Sequence, residues 1–436
     1  MKNNETIRIM LVIVMSLSLL GSFVNVQRTR AAADSGFSTA MIGELGEAAT
    51  VLIYSQIDAT VKIYVPDANW LPTAEYILVS VSTGAMGSGA FVSSNGYIVT
   101  AGHVVFSFTH TNIAQDLYVK YFLVDESFTV LLQSLEDVGY YFTLDEQVQL
   151  LTYIRQYAEL QDSLRQVYAV LGEVKTTLTD IQSKGWVARV VSVSPYIERD
   201  LALLKIEGLS NCPVLLVGDS DNVVTGDDVY MFGFPGVVTF HAELGPETLL
   251  APSMTRGIIS AKRVTNEQTP CFQTDAMITH GNSGGAGLSN DGEIIGICSR
   301  GSVTETGQEV AGFDFLIQSN VLKMLLTESN VNNTKGPVDE AFLRGLTYYN
   351  GKHYTAAQKE FETAAGLFEY HWRAKNLITE CISAIAHGKD VPLSGSMDVW
   401  ILGITAVVAL GAVSAVVLVV RHRRRSSQLP PPPSGS

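Results

Sequence analysis

The sequence predicts a mainly β body with one helical insertion, followed by a small all-α module and an apolar segment of membrane length. Three observations carry this. First, tight hairpin signals punctuate short apolar strands: Asn95-Gly96 stands between Phe91-Val92 and Tyr97-Ile98-Val99, and Asn290-Asp291-Gly292 leads into Glu293 to Cys298. Second, Leu150, Ile154, Tyr157, Gln161, Leu164, Tyr168 and Leu171 alternate at spacings of four and three, as in the seam of a helix. Third, Val399 to Val420 runs for 22 residues without a charge.

Length and composition narrow the function. The chain has 436 residues, 47% hydrophobic and 17% charged, which suits two or three domains and excludes disorder over most of the length. Residues 34–396 carry 21 basic and 41 acidic side chains, a balance unsuited to neutralising phosphates, so no nucleic-acid partner is expected. The four cysteines, Cys212, Cys271, Cys298 and Cys381, form no C-x-x-C pair and have no His at zinc-ligand spacing. Nucleotide and metalloprotease motifs are absent too, so neither cofactor nor metal is expected. The cysteines are compatible with one or two disulfides or with buried thiols.

The ends set an address. Lys2 and Arg8 precede an apolar run from Ile9 to Val26, and Ala31, Ala32 and Ala33 come next. Residues 1–33 therefore read as a signal peptide or an uncleaved signal anchor, and both export the body of the chain. At about 1.5 Å per residue, 399–420 reaches about 33 Å, enough for a transmembrane helix. Arg421, Arg423, Arg424 and Arg425 would keep the tail, 421–436, in the cytoplasm, and its Pro430 to Pro433 run is disordered in character. The expected location is the cell membrane, single-pass, with the body outside.

Chemistry concentrates in three blocks. Gly87-Ser-Gly-Ala-Phe-Val precedes the hairpin whose second strand ends at Thr100-Ala-Gly-His103. Asp200 opens the apolar strand Leu-Ala-Leu-Leu-Lys-Ile206. Ser283 lies in Gln273-Thr-Asp-Ala-Met-Ile-Thr-His-Gly-Asn-Ser283-Gly-Gly285, with glycines on both sides. Alone, each block reads as a structural histidine, a buried strand or a flexible turn. Together they supply what acyl transfer to a serine demands: a base for its proton, a carboxylate that fixes the base's tautomer, and backbone N–H groups aimed at the oxyanion.

These blocks resemble the trypsin-like serine proteases of the HtrA/DegP branch. Gly218-Asp-Ser220, Gly233-Phe-Pro-Gly236 and Phe315-Leu-Ile-Gln-Ser-Asn320 resemble further segments of that family, and the likeness covers about 200 residues. It implies two antiparallel β-barrels of chymotrypsin type, with His103 and Asp200 from the first and Ser283 from the second. It further implies His103 as general base, Asp200 as its orienting group, Ser283 as nucleophile and the N–H groups of Gly281 and Ser283 as oxyanion hole. Polypeptides would be the substrates, and a homotrimer is the family's habit. Three positions depart from the family: His280 replaces Pro, Ala286-Gly287 replaces Pro-Leu, and Asp314 replaces Gly. Asp314 would either colour the substrate pocket or point to solvent.

The protease domain is placed at 34–328. His103 and Asp200 are 97 residues apart, and the surplus, about 110–183, is read as a helical insertion, either folded back on the barrel or serving as an oligomerising arm or lid over the cleft. A polar linker, 329–337, contains the sequon Asn332-Asn-Thr334. Residues 338–388 read as helices in which Gly345, Tyr348, Ala357, Phe361 and Ala364 fall at the spacings of a tetratricopeptide repeat, with Glu369 at its usual Pro site. One such unit would pack on the protease, on another copy or on a protein partner. The reading is a membrane-anchored extracytoplasmic serine endopeptidase acting on exported or misfolded chains. The alternative is a catalytically weak chaperone or sensor scaffold.

Overall fold

A computed structural model describes residues 36–105, 117–172, 181–194, 198–236, 251–303 and 309–393. The segments expected to be a signal (1–33), a membrane span (399–420) and a cytoplasmic tail (421–436) lie outside these residues. Among the described residues no helix is long and apolar enough to cross a membrane.

Ser38 caps helix α1 (Thr39–Ala49), its hydroxyl accepting from Met41 N–H. The chain then enters strands β1 (Thr50–Pro66), β2 (Pro72–Ser93) and β3 (Tyr97–Ala101), a one-turn helix α2 (Gly102–Val105), and two longer helices, α3 (Leu117–Asp137) and α4 (Leu144–Tyr157). Strand β4 (Glu159–Leu171), the short helix α5 (Ile181–Lys184), β5 (Trp186–Val193) and β6 (Leu201–Lys205) complete a closed antiparallel barrel in the order β1-β2-β3-β6-β5-β4. A second closed barrel, β10-β11-β12-β9-β8-β7, comprises β7 (Asp228–Gly233), β8 (Ser253–Val264), β9 (Pro270–Thr274), β10 (Ala286–Leu288), β11 (Ile294–Val303) and β12 (Glu309–Gln318). Helices α6 (Ser319–Glu328), α7 (Pro337–Asn350), α8 (Tyr354–Leu367) and α9 (Trp372–Ala386) complete the chain's described elements. Both hairpins form at the expected positions, with Gly96 at φ +88° and Gly292 at φ +70°.

The insertion corrects one expectation. The seam from Leu150 to Leu171 is not a single helix: it holds through Tyr157, then Ala158 turns to an extended conformation and residues 159–171 form β4. The physical reason is pairing. β4 lies antiparallel to β1 from Val51↔Leu171 to Lys62↔Glu159, so its backbone groups gain ladder partners. Val167, Tyr168 and Val170 suit a pleated surface, and Val167 to Leu171 are all buried. The surplus between His103 and Asp200 thus contains a wall of the barrel as well as helices. A Thr143/Glu146 capping box starts α4, whose Leu150, Tyr153 and Ile154 pack with Leu123 and Val124 of α3 against Ile57, Val61, Ile63, Val79 and Val81 of a long β1–β2 arm.

The three terminal helices belong to the body. Val338, Phe342, Leu346, Phe361 and Leu377 share one core cluster with Val51, Ile53, Phe91 and Leu204 of the first barrel. A Cβ on Gly345 would lie 2.4 Å from the Phe361 ring, so α7 and α8 cross in close contact. Polar contacts fix the docking. Asp339 accepts from Val214 N–H at 2.8 Å and Gly336 N–H at 2.7 Å. Arg373 Nε donates to Glu44 on α1 at 2.7 Å and lies 3.4 Å from Glu47. Asn333 in the linker bonds Val92 O, Leu215 O and Val217 N–H. All four cysteines are buried, and none is in a disulfide.

Candidate active site

Gly102 carries the chain from β3 into α2 so close to Ser194 that a Cβ would sit 2.0 Å from its carbonyl oxygen. That approach delivers His103 to the carboxylate beside it. Asp200 is fully buried at the mouth of β6, with φ +47°. A left-handed aspartate costs conformational energy, which its surroundings must hold. The hydrogen bonds do so. Asp200 Oδ1 accepts from His103 N–H at 2.8 Å, and His103 Nδ1 lies 3.1 Å from Oδ1 and 3.0 Å from Oδ2. The Ser299 hydroxyl donates to Oδ2 in a short bond. An ionised carboxylate only accepts, so Nδ1 carries the hydrogen, and the neutral ring keeps Nε2 as an acceptor.

Ser283 arrives from the other barrel, on the loop between β9 and β10. Two contacts bring this loop to the histidine. A Cβ on Gly284 would meet Ser88 O and the Thr100 hydroxyl at 2.2 Å and Ala101 N at 2.6 Å, and one on Gly87 would meet Val104 at 2.6 Å and Ser283 O at 3.0 Å. Gly281 has φ +97°, and a Cβ there would fall 2.3 Å from Phe234 O. Only glycine fits either condition. His280 O accepts from Gly236 N–H at 2.6 Å, and Asn282 O accepts from Gly285 N–H at 2.9 Å. In a trans peptide the N–H points opposite to the C=O. Those two bonds therefore turn the Gly281 and Ser283 N–H groups away from Gly236 and Gly285 respectively.

The structure brings His103 and Asp200 into direct contact and sets Ser283 and Gly281 on the abutting loop. His280 contributes its carbonyl to that loop, and the imidazole on Asp200 is that of His103. Asp314 does not face solvent: it is 2% exposed, and its Oδ2 accepts from Ile278 N–H at 3.3 Å, tying the Ser283 loop to β12. Cys298 lies beneath the site, and burial, with Asp314 and Asp200 nearby, pushes its thiol well above the ordinary range. It is a core thiol rather than a nucleophile. Sequence reasoning assigns no role to Ser299 or Ser88. Ser299 carries no local signal, whereas Ser88 sits between two glycines in the first block. Among the described residues no group of His, Cys, Asp and Glu is arranged to hold a metal.

Two six-stranded antiparallel barrels with a carboxylate–imidazole pair from one and a glycine-flanked serine from the other define the trypsin-like class. The family model described as "Trypsin-like peptidase domain" matches residues 87–297, and over this stretch the chain is similar to serine proteases of HtrA type. Serine protease HTRA4 of Mus musculus is 33% identical over 153 residues, covering 33% of this chain and 28% of that protein. Serine protease HTRA1 of Xenopus tropicalis is 31% identical over 156 residues, or 34% and 29% of the two chains. The magnetosome formation protease MamE of Paramagnetospirillum magneticum is 31% identical over 160 residues, 35% of this chain and 20% of that one. The chain thus spans less than a third of the length of these relatives. Among solved structures, the HtrA-type protease AlgW with a decapeptide aligns over 67% of each chain at 21% identity, with a TM-score of 0.40.

Proposed function

We propose that this protein is a serine endopeptidase that cleaves exported or misfolded polypeptides through an acyl-enzyme. The observation that carries the reading is the Asp200 carboxylate, buried and held by His103 and Ser299 so that His103 Nε2 is the ring nitrogen left to accept a proton. Ser283 Oγ attacks the scissile carbonyl carbon while Nε2 takes its proton, and the carbonyl π electrons move onto oxygen. The Gly281 and Ser283 N–H groups stabilise that oxyanion. Collapse breaks the C–N bond and the amine leaves with the proton from Nε2; water then adds to the acyl carbon as Nε2 takes its proton, the C–Oγ bond breaks, and Ser283 regains its proton from Nε2 as the acid product leaves.

The setting belongs to the same proposal. A signal at 1–33 exports the body, the 399–420 span tethers it, and the arginines beyond the span hold the tail inside. The apolar sides of α7, α8 and α9 share the first barrel's core, which supports a brace for the protease over a free peptide-binding repeat. A role in quality control suits a tethered protease beside emerging chains, and a trimer is the assembly proposed.

The test is digestion of an unfolded polypeptide such as reduced casein by the full chain in detergent, with new termini read by mass spectrometry. Wild type should generate internal cuts and Ser283→Ala none. Equal cutting by both proteins, or none by folded wild type, would overturn the reading.

A further inference from the structure

The four carbonyls from His280 to Ser283 are each held by a donor. His280 O is held by Gly236 N–H at 2.6 Å, Asn282 O by Gly285 N–H at 2.9 Å, and Ser283 O by Ser88 N–H at 2.7 Å. Gly281 O is held by the Ser88 hydroxyl at 2.7 Å. Three of these donors are backbone groups that any residue but proline supplies. The fourth is a side chain, and it acts on the peptide between Gly281 and Asn282, which separates the two proposed oxyanion donors.

Ser88 is saturated by the fold around it. Its hydroxyl donates to Gly281 O and accepts from Phe234 N–H at 2.9 Å, and its carbonyl accepts from the Thr100 hydroxyl at 2.7 Å. The side chain is fully buried on β2 of the first barrel, whereas Phe234 and Gly281 belong to two loops of the second. One hydroxyl therefore joins the histidine's barrel to both loops that shape the nucleophile's surroundings. Without it, Gly281 O and the buried Phe234 N–H would lack this partner. Relief would come from rotating the 281–282 peptide, which moves the N–H groups on either side of it.

We propose that Ser88 is a positioning residue for the oxyanion loop, acting on catalysis through Gly281 and Ser283 rather than by touching substrate; this rests on the peptidase reading above. Its loss should weaken transition-state stabilisation while leaving ground-state binding in place.

The test compares wild type, Ser88→Ala, Ser88→Cys and Ser88→Thr as full chains. It measures the fluorophosphonate inactivation rate, kcat and KM on a casein-derived peptide, and Tm. Ser88→Ala should lose about 10- to 100-fold in inactivation rate and in kcat, with KM within about twofold. Ser88→Thr, which keeps the hydroxyl, should recover most of that loss. Ser88→Cys, a weaker donor of similar shape, should fall between and carries the test if the alanine variant does not fold. A folded alanine or cysteine variant at the wild-type rate would overturn the inference. So would a loss expressed only in KM, or a threonine variant no faster than alanine. Wild type that neither labels nor cleaves would instead sink the peptidase reading itself.

Discussion

Asp200→Asn exchanges one oxygen for an NH2 group at almost constant volume, so its effect is a matter of hydrogen-bond polarity. Asp200 Oδ1 accepts from His103 N–H at 2.8 Å, while Oδ2 accepts from Ser299 and lies 3.0 Å from His103 Nδ1. Asparagine has one acceptor oxygen. If that oxygen keeps the His103 N–H, the amide NH2 faces Nδ1, which must then accept. The ring proton moves to Nε2, and Nε2 can no longer take the proton of Ser283. The flipped amide sets NH2 against the His103 N–H, donor to donor, in a fully buried place. The first orientation therefore prevails, and the loss should be about 10⁴-fold in rate, or about 5.5 kcal/mol of barrier. The assay is the rate of fluorophosphonate inactivation alongside peptide turnover, with Tm establishing that the variant is folded. Retention of more than about a tenth of the wild-type rate would refute the tautomer argument.

Three further outcomes concern the helices against the barrel. Burial pushes the Asp339 carboxyl up to about 6 from 3.8, so its contribution to stability is complete below pH 3.8 and is lost as pH rises through about 6, a change of about 3 kcal/mol. Burial lowers His371 from 6.5 to about 3, so its contribution is complete above pH 6.5 and is lost as pH falls; Asp339→Asn should therefore lose Tm more steeply than wild type from pH 7 to 4, and parallel curves would contradict this. Arg373→Ala removes the cation that bonds Glu44 and lies beside Glu47 and should cost about 3 kcal/mol, with faster proteolytic nicking of the 329–337 linker; unchanged nicking would argue against the clamp. Gly345→Ala forces a methyl into the Phe361 ring and should cost about 1–3 kcal/mol in chemical denaturation, whereas a neutral result would mean the helices separate freely.

His103, Asp200 and the Ser283 loop are legible in the sequence because acyl transfer demands particular residue types, and because the turns that present them need glycine. Asn95-Gly96 and the glycines around Ser283 announce their backbone shapes locally. Ser299 and Ser88 are not legible in this way. Each is a serine whose role depends on a partner far along the chain, 99 residues away for Ser299 to Asp200 and 193 for Ser88 to Gly281. Strand β4 hides in the sequence because apolar residues three and four apart can mimic a helix. Leu164, a seam position by spacing, is 55% exposed, and the pairing with β1 decides the conformation. The helices after 337 are visible from their spacing, but spacing does not choose their partner. Only tertiary contacts such as Asp339 to Val214 select the barrel.

The central claim is that Ser283 is an activated nucleophile. Fluorophosphonate labelling of the full chain beside its Ser283→Ala variant tests it most directly, because the probe needs no known substrate. The account predicts one covalent adduct, mapped to Ser283 by peptide mass and absent from the variant. Labelling of another residue, or none on folded wild type, would contradict it.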